Sequence, residues 1–190
     1  MNRLVNFIAF YAGWFACVAG AGRGHFYLGP LVVLGLVALH LRLVPDARRE
    51  LRLLLSAAAL GYSVDTVQTL VGVIAFGAAS PVWWLPPLWL VGLWLIFGTT
   101  LNVSFQWLAG RYGVAAVLGA ISGPLSYYAG VRLGAAEFPH PVFSVVMLAV
   151  VWAVLMPVLV RLAERSRAAA AAATSTAPPT PRPDRLESLG

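Results

Sequence analysis

Residues 141–162 read PVFSVVMLAVVWAVLMPVLVRL, an apolar run with no acid and one arginine, Arg161, next to its end. A helix of about 20 such residues crosses the hydrocarbon core of a bilayer, so this stretch reads as one membrane span. Working outward from it, comparable runs occupy about 4–22, 28–44, 51–77, 87–106 and 113–134. The second is short, and the third is long enough to tilt or to carry an interfacial turn. The period-two alternation of a β-barrel strand is absent, so the backbone must be satisfied within helices. The expected fold class is therefore all-α, a polytopic transmembrane helix bundle of about six spans.

Composition agrees. Of 190 residues, 60% are hydrophobic and 11% charged, with a mean hydropathy of +0.82, which is too apolar for a domain that keeps a polar surface in water. All 13 basic residues are arginine, giving a formal net charge of +6 and a pI near 10.2. That balance is also the mark of nucleic-acid binders, but here the arginines sit at the ends of apolar runs instead of forming a stripe with interleaved aromatics. They read as topology signals, and no nucleic-acid partner is expected.

With the N-terminus inside, Arg3, Arg42, Arg48, Arg49, Arg52, Arg111, Arg161, Arg165, Arg167, Arg182 and Arg185 are cytoplasmic, and only Arg23 and Arg132 lie outside. The expected topology is N-in/C-in, multi-pass in a bacterial inner (cytoplasmic) membrane. Trp83 and Trp84, in the uncharged loop from Pro81 to Pro87, belong at the outer headgroup boundary. Residues 1–22 resemble a signal peptide, yet bulky Tyr11, Trp14 and Phe15 favour an uncleaved first helix. The bundle is expected over residues 1–163. An alanine run and a Pro/Thr/Ser-rich stretch within 164–190 read as a disordered cytoplasmic tail.

Asp65 is the sharpest chemical feature, lying about 20 Å into the membrane at the helical rise beyond Arg52. A carboxylate there must face the bundle interior, either protonated or paired, and is by default a functional hypothesis. Gln68 and Thr69 share its face, with Gly61 and Gly72 above and below. On the fourth helix Thr99, Asn102 and Gln106 share a face. The fifth carries a small-residue ridge, Ser122, Ser126, Gly130 and Gly134, with Gly119 and Gly123 beside it. Pro124 frees a carbonyl near mid-helix, where either a kink or a broken helix at a binding site would follow, and Tyr127 comes one turn later.

The candidate ligand-binding set is thus Asp65, Gln68, Thr99, Asn102, Ser122, Ser126 and Tyr127. Arg23 and Arg132 are candidate anion contacts at the outer face, where Arg132 can also reach toward Asp65 or pair with Glu137. The lone Cys17 reads as a buried small residue and His40 as a structural histidine. Gly29-Pro30-Leu31 and Gly123-Pro124-Leu125 hint at an inverted repeat. No metal site, cofactor, nucleophile elbow or phosphate loop is expected, and hydrolase or ATPase chemistry is disfavoured.

The stretch Pro87-Leu88-Trp89-Leu90 through Leu93-Trp94-Leu95-Ile96-Phe97-Gly98-Thr99-Thr100-Leu101-Asn102, with Gly123-Pro124-Leu125-Ser126-Tyr127-Tyr128-Ala129-Gly130-Val131-Arg132-Leu133-Gly134-Ala135, resembles the domain of unknown function 2878 family of small bacterial inner-membrane proteins. Gly13-Trp14-Phe15-Ala16-Cys17-Val18 is similar to that family's opening, so the likeness covers about residues 4–160. It implies a polytopic membrane protein and supplies no activity or catalytic residue to carry over. The family often has a histidine after the asparagine, where this chain has Val103.

Three functions fit these residues. The leading one is binding or transport of a lipid or small polar solute, with Asp65 as a proton or cation site and membrane lipids as partners. An accessory or assembly subunit would use the small-residue ridge to hold another membrane protein. An intramembrane lipid-modifying enzyme would use Asp65 as a base and Asn102 as a polar stabiliser, although no nucleophile or metal site supports it.

Overall fold

The computed structural model describes residues 2–77, 80 and 82–175. Among them the chain forms six α-helices: α1 (Arg3–Gly22), α2 (Leu28–Leu43), α3 (Ala47–Leu70), α4 (Trp89–Leu101), α5 (Tyr112–Arg132) and α6 (Pro141–Ser175), with one 3-10 turn over Gln106–Leu108. Each expected apolar run corresponds, in order, to one of them. By length and composition α1, α5 and α6 over Pro141–Ala169 suffice to cross a membrane, while α2 and α4 are apolar but shorter.

The surface is as apolar as the core, and a few polar side chains are buried within that core. Leu4, Ile8, Leu31, Val117, Ile121, Val142 and Val154 are more than half exposed, whereas Asn6, Glu50, Asp65, Gln68 and Thr99 are buried. Such a distribution is stable only where the solvent is lipid, and the chain is a helical membrane bundle.

Local chemistry sets the helix limits. Asp46 accepts from the Arg49 backbone N–H at 3.0 Å, so α3 starts at Ala47, four residues before the expected run. Gly72, at φ +75°, closes α3 after Leu70, and the Val73 N–H returns to the Gln68 carbonyl at 2.8 Å. The expected third span to residue 77 is therefore cut short. Helix α4 ends at Leu101 and the chain turns through Asn102, so Gln106 falls in the 3-10 turn and leaves the face it was expected to share. Helix α6 passes the expected boundary at 163 and runs through the alanines to Ser175, because alanine is the strongest helix former. Pro81 and the remainder of the expected tail, 176–190, lie outside the described residues.

Helix α4 is the axis of the fold, at 13 residues about 20 Å long. It packs on α1, α2 and α3, whereas α5 packs chiefly on α6, and this pair leans on the rest mainly through α3. Two glycines make those approaches possible. A Cβ on Gly61 would overlap the Trp94 ring, and one on Gly123 the Trp152 ring. The α5–α6 seam therefore runs along Ala115, Gly119 and Gly123, one face round from the expected ridge. Helix α5 continues through Pro124 unbroken. Gly29-Pro30 opens α2 whereas Gly123-Pro124 lies inside α5, so the two strings are not equivalent and mark no repeat.

Beyond α3, Ala75 and Glu137 exchange backbone hydrogen bonds of 3.0 and 2.7 Å, tying the chain after α3 to the α5–α6 loop.

Candidate functional site

Asp65 lies wholly buried on the inner face of α3, where three side chains donate to it. The Trp94 indole N–H of α4 reaches Oδ2 at 2.7 Å, Gln68 Nε2 reaches Oδ1 at 3.2 Å, and the Tyr127 hydroxyl of α5 donates to the same Oδ1. Thr69 is turned onto the Asp65 carbonyl at 2.8 Å. Among the described residues no arginine or histidine pairs with the carboxylate, so its partners are neutral donors alone. Gln68 Oε1 beside it is buried without a hydrogen-bond partner.

Trp94 and Trp152 stack with centroids 5.3 Å apart and planes 11° from parallel. Phe97 meets both rings edge-on, at 5.7 Å each. This aromatic block forms the back wall of a groove of about 440 Å³ between α1 and α5. Phe7, Tyr11 and Phe15 form one rim and Leu125 the other. The α5 side of the lining carries three hydroxyls, those of Ser122, Ser126 and Tyr127, and Trp152 Nε1 in the back wall has no hydrogen-bond partner. Tyr127 belongs to the lining, as does Ser126, whose Oγ accepts from Trp14 Nε1 at 3.0 Å. The groove thus leads from the apolar surface to the hydroxyl that holds Asp65.

Of the seven residues expected in one polar interior, the structure brings Asp65, Gln68 and Tyr127 together, with Ser126 in the adjoining groove wall. The other three do not meet Asp65. Ser122 is exposed in the lining of the same groove and donates to the Leu118 carbonyl of its own helix at 2.7 Å, which satisfies its hydroxyl. Thr99 joins Asn6 of α1, whose Nδ2 donates to the Thr99 carbonyl at 3.2 Å, while Asn6 Oδ1 accepts from Ser104 at 2.6 Å. Asn102 belongs to the arginine-rich end, where its Nδ2 donates to Glu50 at 2.8 Å and its Oδ1 accepts from Arg167 at 2.7 Å. The other Glu50 oxygen meets His40 Nε2 at 2.9 Å, whereas His40 Nδ1 is buried without a hydrogen-bond partner, so the structural histidine expected there is only half satisfied.

At the opposite end the segments carrying Arg23 and Arg132 meet, since a Cβ on Gly22 would overlap Leu133. Arg23 donates to the Ala19 carbonyl at 3.2 Å. Arg132 is exposed at the end of α5; it contacts neither Asp65 nor Glu137 in an ion pair among the described residues. Cys17 is buried beneath Gly29, as its small size suggests. No group of metal-binding side chains occurs among the described residues.

Sequence reasoning missed Trp94, Trp14, Glu50 and Asn6. Both tryptophans stand inside apolar runs, where nothing marks an indole as a donor instead of a packing group. Glu50 lies within the arginine cluster and reads as surface charge.

A family model described as "Protein of unknown function (DUF2878)" matches residues 3–158, which takes in α1 to α5 and α6 as far as Val158. No curated protein and no solved structure matches the chain.

Proposed function

The chain belongs to the DUF2878 family, and we propose that it is a membrane-embedded binding protein for a long-chain amphiphile with a hydroxyl head. The observation that carries this reading is the aromatic groove whose inner wall ends on Tyr127, already bonded to Asp65. Six spans of a bacterial inner membrane, with both ends inside, is the topology that goes with it.

The chemistry of the head follows from what the groove wall leaves free. Tyr127 spends its proton on Asp65 and keeps lone pairs, so it can accept from a ligand. Ser126 accepts from Trp14 and keeps its proton, so it can donate. A hydroxyl both donates and accepts, and one head group can satisfy the two residues at once. The apolar chain then lies against Phe7, Tyr11 and Phe15, continuous with surrounding lipid tails. Asp65 acts through Tyr127, fixing the direction of its O–H.

The assembly-subunit alternative loses much of its seam, because Gly119 and Gly123 receive Trp152 and Gly130 faces Val18 of the same chain. The test is mass spectrometry of molecules that co-purify with the detergent-solubilised protein, wild type against Tyr127→Phe. An amphiphilic alcohol enriched over bulk lipid and lost in the folded variant is the expected result. Identical bulk lipid in both preparations would sink the carrier reading.

A further inference from the structure

The arginine-rich end holds a second cavity, of about 550 Å³, lined from three helices by Arg3 of α1, Arg49 and Glu50 of α3, and Arg167 of α6, with Asp46, Asn102 and Gln106 completing its charged and amide groups. We propose that it binds a phosphate-bearing group.

The argument is one of unspent charge. Asp46 is engaged with Arg49, at 3.7 Å from its guanidinium and 3.0 Å from its backbone N–H. Glu50 is 6% exposed, and its two oxygens are taken by His40 at 2.9 Å and Asn102 at 2.8 Å. Neither carboxylate is left for Arg3 or Arg167, and neither arginine forms an ion pair among the described residues, although Glu164, one turn before Arg167 on α6, feels the Arg167 charge without bonding to it.

Arg167 is nevertheless held in place. Its Nη1 donates at 2.7 Å to the oxygen of Asn102, a neutral acceptor that is oriented by Glu50, which is in turn fixed by buried His40. The chain His40–Glu50–Asn102 thus aims a guanidinium at the cavity without neutralising it. Most of the fork's five N–H donors remain available, and their planar geometry suits the oxygens of a phosphate. Arg3 supplies a second cation from α1. The site is distinct from the groove, since Glu50 and Asp65 are about 22 Å apart along α3.

The source of the phosphate, a lipid headgroup or a free ion, is separated by the choice of probe. Isothermal titration of the full chain in non-ionic detergent at low salt would use dihexanoyl phosphatidic acid and, in parallel, inorganic phosphate. Saturable binding of both means the cavity reads phosphate alone; binding of only the lipid places a headgroup there, and either supports the proposal. Losing one guanidinium contact in Arg167→Gln or Arg3→Gln should weaken binding about tenfold or more. Arg48→Gln removes the same charge from the same end but outside the cavity, and should change binding by less than about twofold. Asp65→Asn, folded, should leave it unchanged. No saturable binding of either probe overturns the proposal, as does an equal loss in all three arginine variants, which would mean diffuse attraction to a basic surface.

Discussion

Trp94 is gripped by a single turn of α3. Its Nε1 donates to Asp65 Oδ2 at 2.7 Å while its ring lies over Gly61, four residues earlier. Residues four apart share one helical face, so α3 offers a flat place for the ring and an acceptor for its edge at adjacent positions.

Gly61→Ala should therefore unseat the indole. The added methyl would overlap the ring itself, and overpacking of this kind costs about 1–3 kcal/mol. Thermal unfolding in detergent, followed by tryptophan fluorescence, should show a lowered midpoint and a shifted emission. Gly35→Ala is the control: nothing lies within 4 Å of a Cβ there, and alanine favours the helix by up to about 1 kcal/mol.

At Asp65 the order of substitutions is the informative quantity. Asparagine keeps the oxygen that meets Tyr127 and Gln68 but turns an NH2 toward the Trp94 N–H, leaving a donor unsatisfied at about 1–3 kcal/mol. Alanine strands all three donors. Asp65→Ala should reduce the yield of folded, monodisperse protein well below Asp65→Asn, as read by size-exclusion chromatography. Equal yields would mean the three donors find other partners.

His40 and Glu50 should behave as one unit. Both are buried and joined at 2.9 Å, so removing Glu50 leaves His40 without a partner, and removing His40 leaves Glu50 with Asn102 alone. A double-mutant cycle of His40→Ala and Glu50→Ala should give a coupling energy of about 1–3 kcal/mol, measured by chemical or thermal unfolding. Additive effects would show that Asn102 alone satisfies Glu50.

The ends of the chain carry a topological prediction. The start of α1 and the arginine-bearing part of α6 lie at one end of the bundle, since Arg49, low on α3, donates to the Ala169 carbonyl and Ser104 donates to the Arg3 carbonyl. Reporter fusions to the N- and C-termini should both report the cytoplasm. Opposite sides would require an odd number of crossings.

How far the sequence reaches can be judged at particular residues. Helix number and order follow from apolar run length, and the place of Asp65 well inside α3 follows from its distance beyond Arg52. Tyr127 is recognisable one turn after Pro124. What periodicity does not contain is which helix faces which. Thr99 and Asn102 share a face on paper, yet α4 ends between them, and their partners come from α1 in one case and from α3 and α6 in the other. Ser122 and Ser126 sit on one ridge, but α6 packs on the neighbouring glycines, leaving both serines on the groove side and Ser122 exposed, away from Asp65. Small residues permit several close approaches, and the bulky partner, Trp152, decides among them.

The packing divides the chain into two parts. Helix α4 gathers α1, α2 and α3 around itself, while α5 and α6 pair through their own glycine seam. The groove runs along the line where that pair lies beside α1. An occupant touching both parts would favour the closed molecule over any form in which they separate, by mass action.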